Sequence, residues 1–129
     1  MTVVSGLTET TKDIAPNGVL RAAINLGNPV LAQGTPAAPA GVTADIAREL
    51  GTRLGVPVDL ACFAAARESF LVDQGFMQIR QALGTALTRT PDTIRFLAAF
   101  IEDLKASGFI AAALRRSGQD PALVAPSRP

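Results

Sequence analysis

Along residues 18–62 the spacing of apolar positions changes character twice. Leu20 to Leu26 reads LRAAINL, largely apolar on both faces, as in a buried central strand of a parallel sheet. From Val42 to Leu54 the pattern becomes helical. Ile46, Ala47, Leu50 and Leu54 fall on one face, while Thr43, Arg48, Glu49, Thr52 and Arg53 take the other. Glu49 and Arg53 stand four residues apart, the favourable order for an ion pair on a helix. Gly55 follows where a left-handed cap suits glycine. Val56 to Leu60 then alternates and predicts a second strand. Between the first strand and the helix, Gly27-Asn28-Pro29 ends the strand, and residues 32–41, AQGTPAAPAG, predict a surface loop. The whole stretch predicts one βαβ unit. Its strands should lie side by side and parallel, with a right-handed crossover.

The C-terminal third predicts two helices. Thr90 offers an N-cap, Pro91 sits at the first helical position, and Asp92 places negative charge at the positive helix end. Ile94, Leu97, Ile101 and Leu104 make an apolar stripe, widened by Phe96 and Phe100. Ser107-Gly108 breaks it, and Phe109, Ile110, Ala113 and Leu114 continue as a shorter helix that Gly118 caps. Between the two halves, Phe63 to Phe70 reads as a short helical segment and Asp73-Gln74-Gly75 as a turn. Phe76 to Leu83 alternates, with Met77, Ile79 and Leu83 on the apolar face of a strand, although a helix fits the same eight residues. Residues 1–17 are Thr-rich and polar and end in Ala15-Pro16-Asn17-Gly18, which predicts a flexible lead-in. The last residues, 119–129, predict a draped or loose tail.

A chain of 129 residues is one domain on length. We divide it into the lead-in, an N-terminal part at 18–70, a returning part at 71–118 and the tail. With 48% hydrophobic residues and a net charge of +1, it has a core's worth of apolar side chains and no basic field for nucleic acid or an anionic membrane. No run of apolar residues is long enough to span a bilayer. The N-terminus lacks the basic start and apolar core of a secretory signal. The single cysteine, Cys62, excludes an intramolecular disulfide and reads as a small buried hydrophobe.

Candidate chemistry is sparse. Histidine, tyrosine and tryptophan are absent. No Ser-His-Asp or Cys-His pair can form, and the usual neutral-pH proton shuttle is missing. No phosphate-cradling glycine motif occurs. Asp45 and Glu49, one helical turn apart, read as a solvated helix face rather than an acid pair, and Arg115-Arg116 as the complement of a helix C-terminus. The expectation is a chain with no catalytic residues, no cofactor and no metal. Asn25-Leu26-Gly27-Asn28-Pro29 stands apart from these features. It follows a strand, and in open α/β sheets ligands sit beyond the carboxyl ends of strands.

That segment, with the strand before it (Leu20 to Pro29), resembles the opening strand and ligand loop of type II periplasmic solute-binding proteins, the polar amino acid family of ABC importers. Gly41-Val42-Thr43-Ala44-Asp45-Ile46-Ala47, Leu50, Leu54-Gly55-Val56 and Val58 resemble that family's first helix and second strand, with Val42 where Phe is usual. Phe76 to Gly84, and the helix from Ile94 to Gly108 with Phe109-Ile110 after it, resemble the returning end of the same lobe. The resemblance implies an α/β fold: a small three-layer sandwich, a short and mostly parallel sheet with helices on both faces. It implies a non-catalytic lobe for a small polar ligand such as an amino acid or organic acid. The ligand-binding residues are then Asn25, Leu26, Gly27, Asn28, Pro29 and Phe63. ABC importer membrane subunits are the implied partners and the periplasm the implied location, although a chain expressed as given would be cytoplasmic.

The family pattern is also cut short. Only five residues separate Phe70 from Phe76, where the family inserts a second lobe. That lobe carries the arginine that grips a ligand carboxylate, and no residue here takes its place. Val30-Leu31 stands where the family often has a stacking aromatic. The expectation is therefore a single lobe that binds small solutes weakly and forms a homodimer. The alternative is a structural or engineered single-lobe module that self-associates and binds no ligand.

Overall fold

The computed structural model describes residues 2–26, 31–63, 85 and 88–124. It is a mixed α/β structure with a small parallel sheet. In chain order the elements are helix α1 (Thr2–Ile14), strands β1 (Leu20–Asn25), β2 (Gln33–Thr35) and β3 (Ala38–Ala40), helix α2 (Val42–Leu54), strand β4 (Val58–Phe63), and helices α3 (Pro91–Ala106) and α4 (Phe109–Arg116). A 3₁₀ turn, Pro121–Leu123, closes the described chain.

β1 and β4 pair in parallel, from Leu20 beside Val58 to Asn25 beside Phe63. This is the βαβ unit expected from the pattern, with α2 as its crossover. The pleat sends Leu20, Ala22, Ile24, Val58, Leu60 and Cys62 to one face and Arg21, Ala23, Asp59 and Ala61 to the other. Leu20 and Ile24 are buried, whereas Arg21 and Ala23 are exposed. β1 is thus one-sided, not buried on both faces as LRAAINL suggested. The reason is Arg21, which pairs across the strands with Asp59 at 3.5 Å, and a guanidinium and carboxylate held together this way favour water.

α2 lies on the buried face. Val42, Ala44, Ala47, Leu50, Gly51 and Leu54 point inward. Of these, Val42, Leu50 and Leu54 join Leu20 of β1, with Leu97, Phe100 and Leu104 of α3 and Ile110, Ala113 and Leu114 of α4, in one core. The start of α2 needs Gly41, whose φ is 101°, and a Cβ there would meet the Leu31 carbonyl oxygen at 2.8 Å. That carbonyl accepts from Thr43 N–H at 2.9 Å and so satisfies a first-turn donor that no side chain caps. At the other end Gly55 donates its N–H to the carbonyls of Gly51 and Thr52.

α3 begins as the sequence predicts. The Thr90 side chain accepts from Thr93 N–H, and Pro91 takes the first helical position. Its inward stripe differs from the expected one at two positions, Thr93 in place of Ile94 and Phe100 in place of the half-buried Ile101. Thr93, Leu97, Phe100 and Leu104 are buried, while Ile94 is 45% exposed. Thr93 can replace Ile94 because the Thr90 hydroxyl bonds to its own at 3.1 Å, so its polar group is satisfied indoors. Phe96 and Phe100 stack with ring centroids 6.5 Å apart.

Two more segments differ from expectation. Residues 2–14 form α1 instead of a flexible lead-in. The helix is held by α3: Thr10 is buried, Ala15 beyond its end is buried, and Ile14 packs on the core. Residues 33–40, expected as loop, form the β2–β3 hairpin, registered from Gln33 beside Ala40 to Thr35 beside Ala38. Gly34 adopts φ 84°, and a Cβ there would stand 2.3 Å from the Ala38 carbonyl oxygen. Pro39 is tolerated because both strands of a two-stranded ribbon are edges. The expected helix at 64–70 and strand at 76–83 lie outside the described residues, and Phe63 itself belongs to β4.

Candidate functional site

β4 begins straight after α2 ends, so α2 runs back against the strands. Its N-terminus therefore lies at the carboxyl end of β1 and β4. That edge gathers the expected ligand residues that are described. Asn25 and Phe63 are register partners and the last residues of their strands. Leu26 is half-buried in the turn after β1. Gly27, Asn28 and Pro29 lie outside the described residues. Beneath Asn25 and Phe63, the Ile24–Cys62 pair closes the sheet floor. Ile24 is fully buried, but Cys62 is only half-buried, not the enclosed hydrophobe expected. Its thiol sits 3.9 Å from the Leu60 carbonyl oxygen.

The β2–β3 hairpin joins the end of β1 to the start of α2, and so connects to this edge at both ends. Arg48 of α2 donates to the Pro39 carbonyl at 3.0 Å. Gln33 donates its side-chain N–H to the Ser117 carbonyl at 3.2 Å, reaching the end of α4. Asp45, in the first turn of α2, receives Arg116 at 3.0 Å and lies 4.0 Å from Arg48. Glu49 takes Arg53 at 3.1 Å. The two carboxylates are thus engaged by separate arginines and form no acid pair, as expected. Asp45 near a helix N-terminus and Arg116 near a helix C-terminus each complement a helix dipole as well as one another.

A second polar cluster, unannounced by the sequence, sits between α1 and the start of α3. Glu9, Thr10, Lys12, Asp13, Thr90 and Asp92 line an open depression there of about 400 Å³. Asp13 organises it. Its carboxylate accepts from Thr90 N–H at 3.0 Å, and Arg89 donates to its backbone carbonyl at 2.5 Å. Hydrogen bonding from the Thr93 side chain, then from the Thr90 backbone, and the charge of Arg89 hold the Asp13 carboxyl below its ordinary value, against an opposing effect of burial. Asp13 thus serves as an extra cap on α3 supplied from another helix. No local motif marks such a cap, because its partner lies 77 residues away.

Among the described residues no group of His, Cys, Asp and Glu is placed to hold a metal ion, and no helix is long and apolar enough to cross a membrane. No family model, curated protein or solved structure matches this chain.

Proposed function

We propose that this chain is a solute-binding lobe of the type II periplasmic kind, folded without an opposing lobe, for a small polar ligand such as an amino acid or organic acid. In this reading it is non-catalytic and part of, or derived from, the binding component of an ABC importer. It acts in the periplasm with the importer's membrane subunits as partners. The observation that carries the reading is the parallel β1–α2–β4 unit, whose carboxyl edge sets Asn25 beside Phe63. Ligands of open α/β sheets lie beyond such an edge. Asn25 carries an amide, a group that both donates and accepts, and the β2–β3 hairpin connects to the same edge.

A lobe that cannot close on its ligand leaves it solvated, and small polar ligands depend on enclosure for affinity. Monomer binding is therefore weak. The test is a thermal-shift screen of the purified chain against the common amino acids and small mono- and dicarboxylates, followed by calorimetric titration of any hit. A ligand that binds the native state raises the melting temperature in proportion to its saturation. A rise with millimolar ligand that is lost in Asn25→Ala supports the reading. No shift across the whole panel at millimolar concentrations overturns it.

The second reading is a structural module that self-associates and binds no ligand. It draws on the open face of the sheet, where Val19, Arg21, Ala23 and Asp59 are exposed. A sheet face uncovered in this way favours a second copy, most simply in a two-fold dimer. Sedimentation over a wide concentration range decides this reading. Dimerisation without any ligand shift favours it, and a monomer throughout removes it.

A further inference from the structure

The β2–β3 hairpin is short, rich in small residues and inserted between the sheet edge and α2. Such a segment would ordinarily move. It is instead held by hydrogen bonds to the rest of the chain, three of which matter here. Its base is held by the Thr43 N–H to Leu31 carbonyl bond at 2.9 Å, and its outgoing strand by Arg48 on the Pro39 carbonyl at 3.0 Å. Both ties come from α2, its neighbour in sequence. The third is different. Gln33, on the incoming strand, reaches 84 positions along the chain to the Ser117 carbonyl. Ser117 is the C-cap of α4, so this carbonyl is among those a helix leaves without an internal partner. The amide of Gln33 satisfies it, and the bond is partly sheltered from water.

We infer that Gln33 is a positioning residue: through the Ser117 carbonyl, the end of α4 holds the β2–β3 hairpin fixed at the carboxyl edge. The hairpin is then a rigid rim and not a lid, anchored by α4. The Arg116–Asp45 ion pair at 3.0 Å holds the same end of α4 against the first turn of α2, so the anchor itself is fixed. The significance for ligand binding rests on the solute-lobe reading; the positioning itself does not.

Gln33→Glu tests the positioning. A carboxylate keeps the size of the side chain but cannot donate to a carbonyl. Gln33→Lys restores a donor on a stem of similar reach. Amide hydrogen exchange followed by mass spectrometry reads the hairpin separately from the core. Loss of one partly sheltered bond should speed exchange across residues 32–40 about fivefold to tenfold in Gln33→Glu. Exchange in α2 and α3 should stay as in the parent, and Gln33→Lys should recover most of the protection. Unchanged exchange over 32–40, or faster exchange everywhere at once, overturns the inference. The amino acid and carboxylate panel then separates the two ideas. If the hairpin loosens and no compound shifts the parent chain, the positioning stands and the solute reading falls. If a compound shifts the parent and shifts Gln33→Glu equally although its hairpin has loosened, the hairpin does not shape the site, and that part of the inference falls while the solute reading stands.

Discussion

Gly51 of α2 packs so closely on β4 that a Cβ there would stand 2.1 Å from Val58 Cγ2 and 3.1 Å from the Val56 carbonyl oxygen. The helix rides on the sheet at this point, and the missing side chain sets the distance between the two layers. Gly51→Ala would gain about 1 kcal/mol of helix propensity. It would also force Val58 off its position, and β-branched Val has little rotamer freedom with which to yield. Overpacking of this kind costs about 1–3 kcal/mol. We expect a net loss of stability, read as a lower urea midpoint with unchanged slope. In the double variant with Val58→Ala, the loss should be smaller than the sum of the two single losses, since the second substitution empties the space the first one fills.

What could be read from the sequence follows this same division between local and distant causes. α2 has the bounds the pattern predicts, Val42–Leu54, because a helical period and a terminal glycine are local signals. The start of α3 was equally plain in Thr90-Pro91. The hairpin was not legible, because strands of three residues are too short to show alternation and Pro39 argues against a strand. Nor was α1, whose Thr, Ser and Gly are poor helix formers. Its order depends on Thr10 and Asp13 meeting α3, a contact between distant parts of the chain. Of the candidate site, the Asn25 edge was visible as a strand followed by a turn. The Gln33 tie was hidden because its partner is a backbone carbonyl, which has no sequence signature.

Thr90 serves two helices. Its hydroxyl oxygen caps α3 through Thr93 N–H at 3.2 Å, while its own N–H donates to Asp13 at 3.0 Å. Thr90→Ala removes the first, along with the hydroxyl's bonds to Thr93 and Asp13, and leaves the second. Loss of an N-cap costs about 0.5–2 kcal/mol. We expect a fall within that range by chemical denaturation, largely recovered by Thr90→Ser, which restores the acceptor; Thr90→Asp should recover less, since it sets a second carboxylate beside Asp13. A full-size loss that Ser does not recover would show that the methyl group, not the cap, matters.

The Asp13 clasp makes a prediction about acid. Its carboxyl is depressed in the folded chain below the ordinary 3.8. The stability it contributes is therefore fully present above that ordinary value and is lost as pH falls through the lower, folded one. Asp13→Asn should be less stable than the parent at pH 7. Its disadvantage should shrink as pH falls below 3.8, where the unfolded parent begins to take up the proton, and vanish once the folded carboxyl is protonated too. Paired pH titrations of the melting temperature provide the comparison. Parallel curves down to the lowest pH would mean that Asp13 is not engaged. Exchange of the α1 amides, followed in the same variant, should rise more than that of α2, since Asp13 ties α1 to α3.

Arg53 joins α2 to α3 by charge and by contact. Its guanidinium lies 2.8 Å from Asp103 and 3.1 Å from Glu49, and its Cζ is 5.2 Å from the centre of the Phe100 ring. Arg53 is also about one-third exposed, so its ion pairs are screened and contribute little each, about 0.2–1 kcal/mol. The cation over the ring adds about 0.5–1 kcal/mol at such a site. Arg53→Met keeps an apolar stem over Phe100 and removes the charge. We expect it to lose about 1 kcal/mol at low ionic strength. In ~1 M salt, where the screening length falls to about 3 Å, the loss should shrink. The parent and Arg53→Met should then converge as salt is added. A gap that stays constant from low to high salt would assign the contribution to side-chain packing on Phe100 and not to charge. Arg53→Lys separates the remaining terms, for it restores the charge but not the planar fork that reaches Asp103 and Glu49 together.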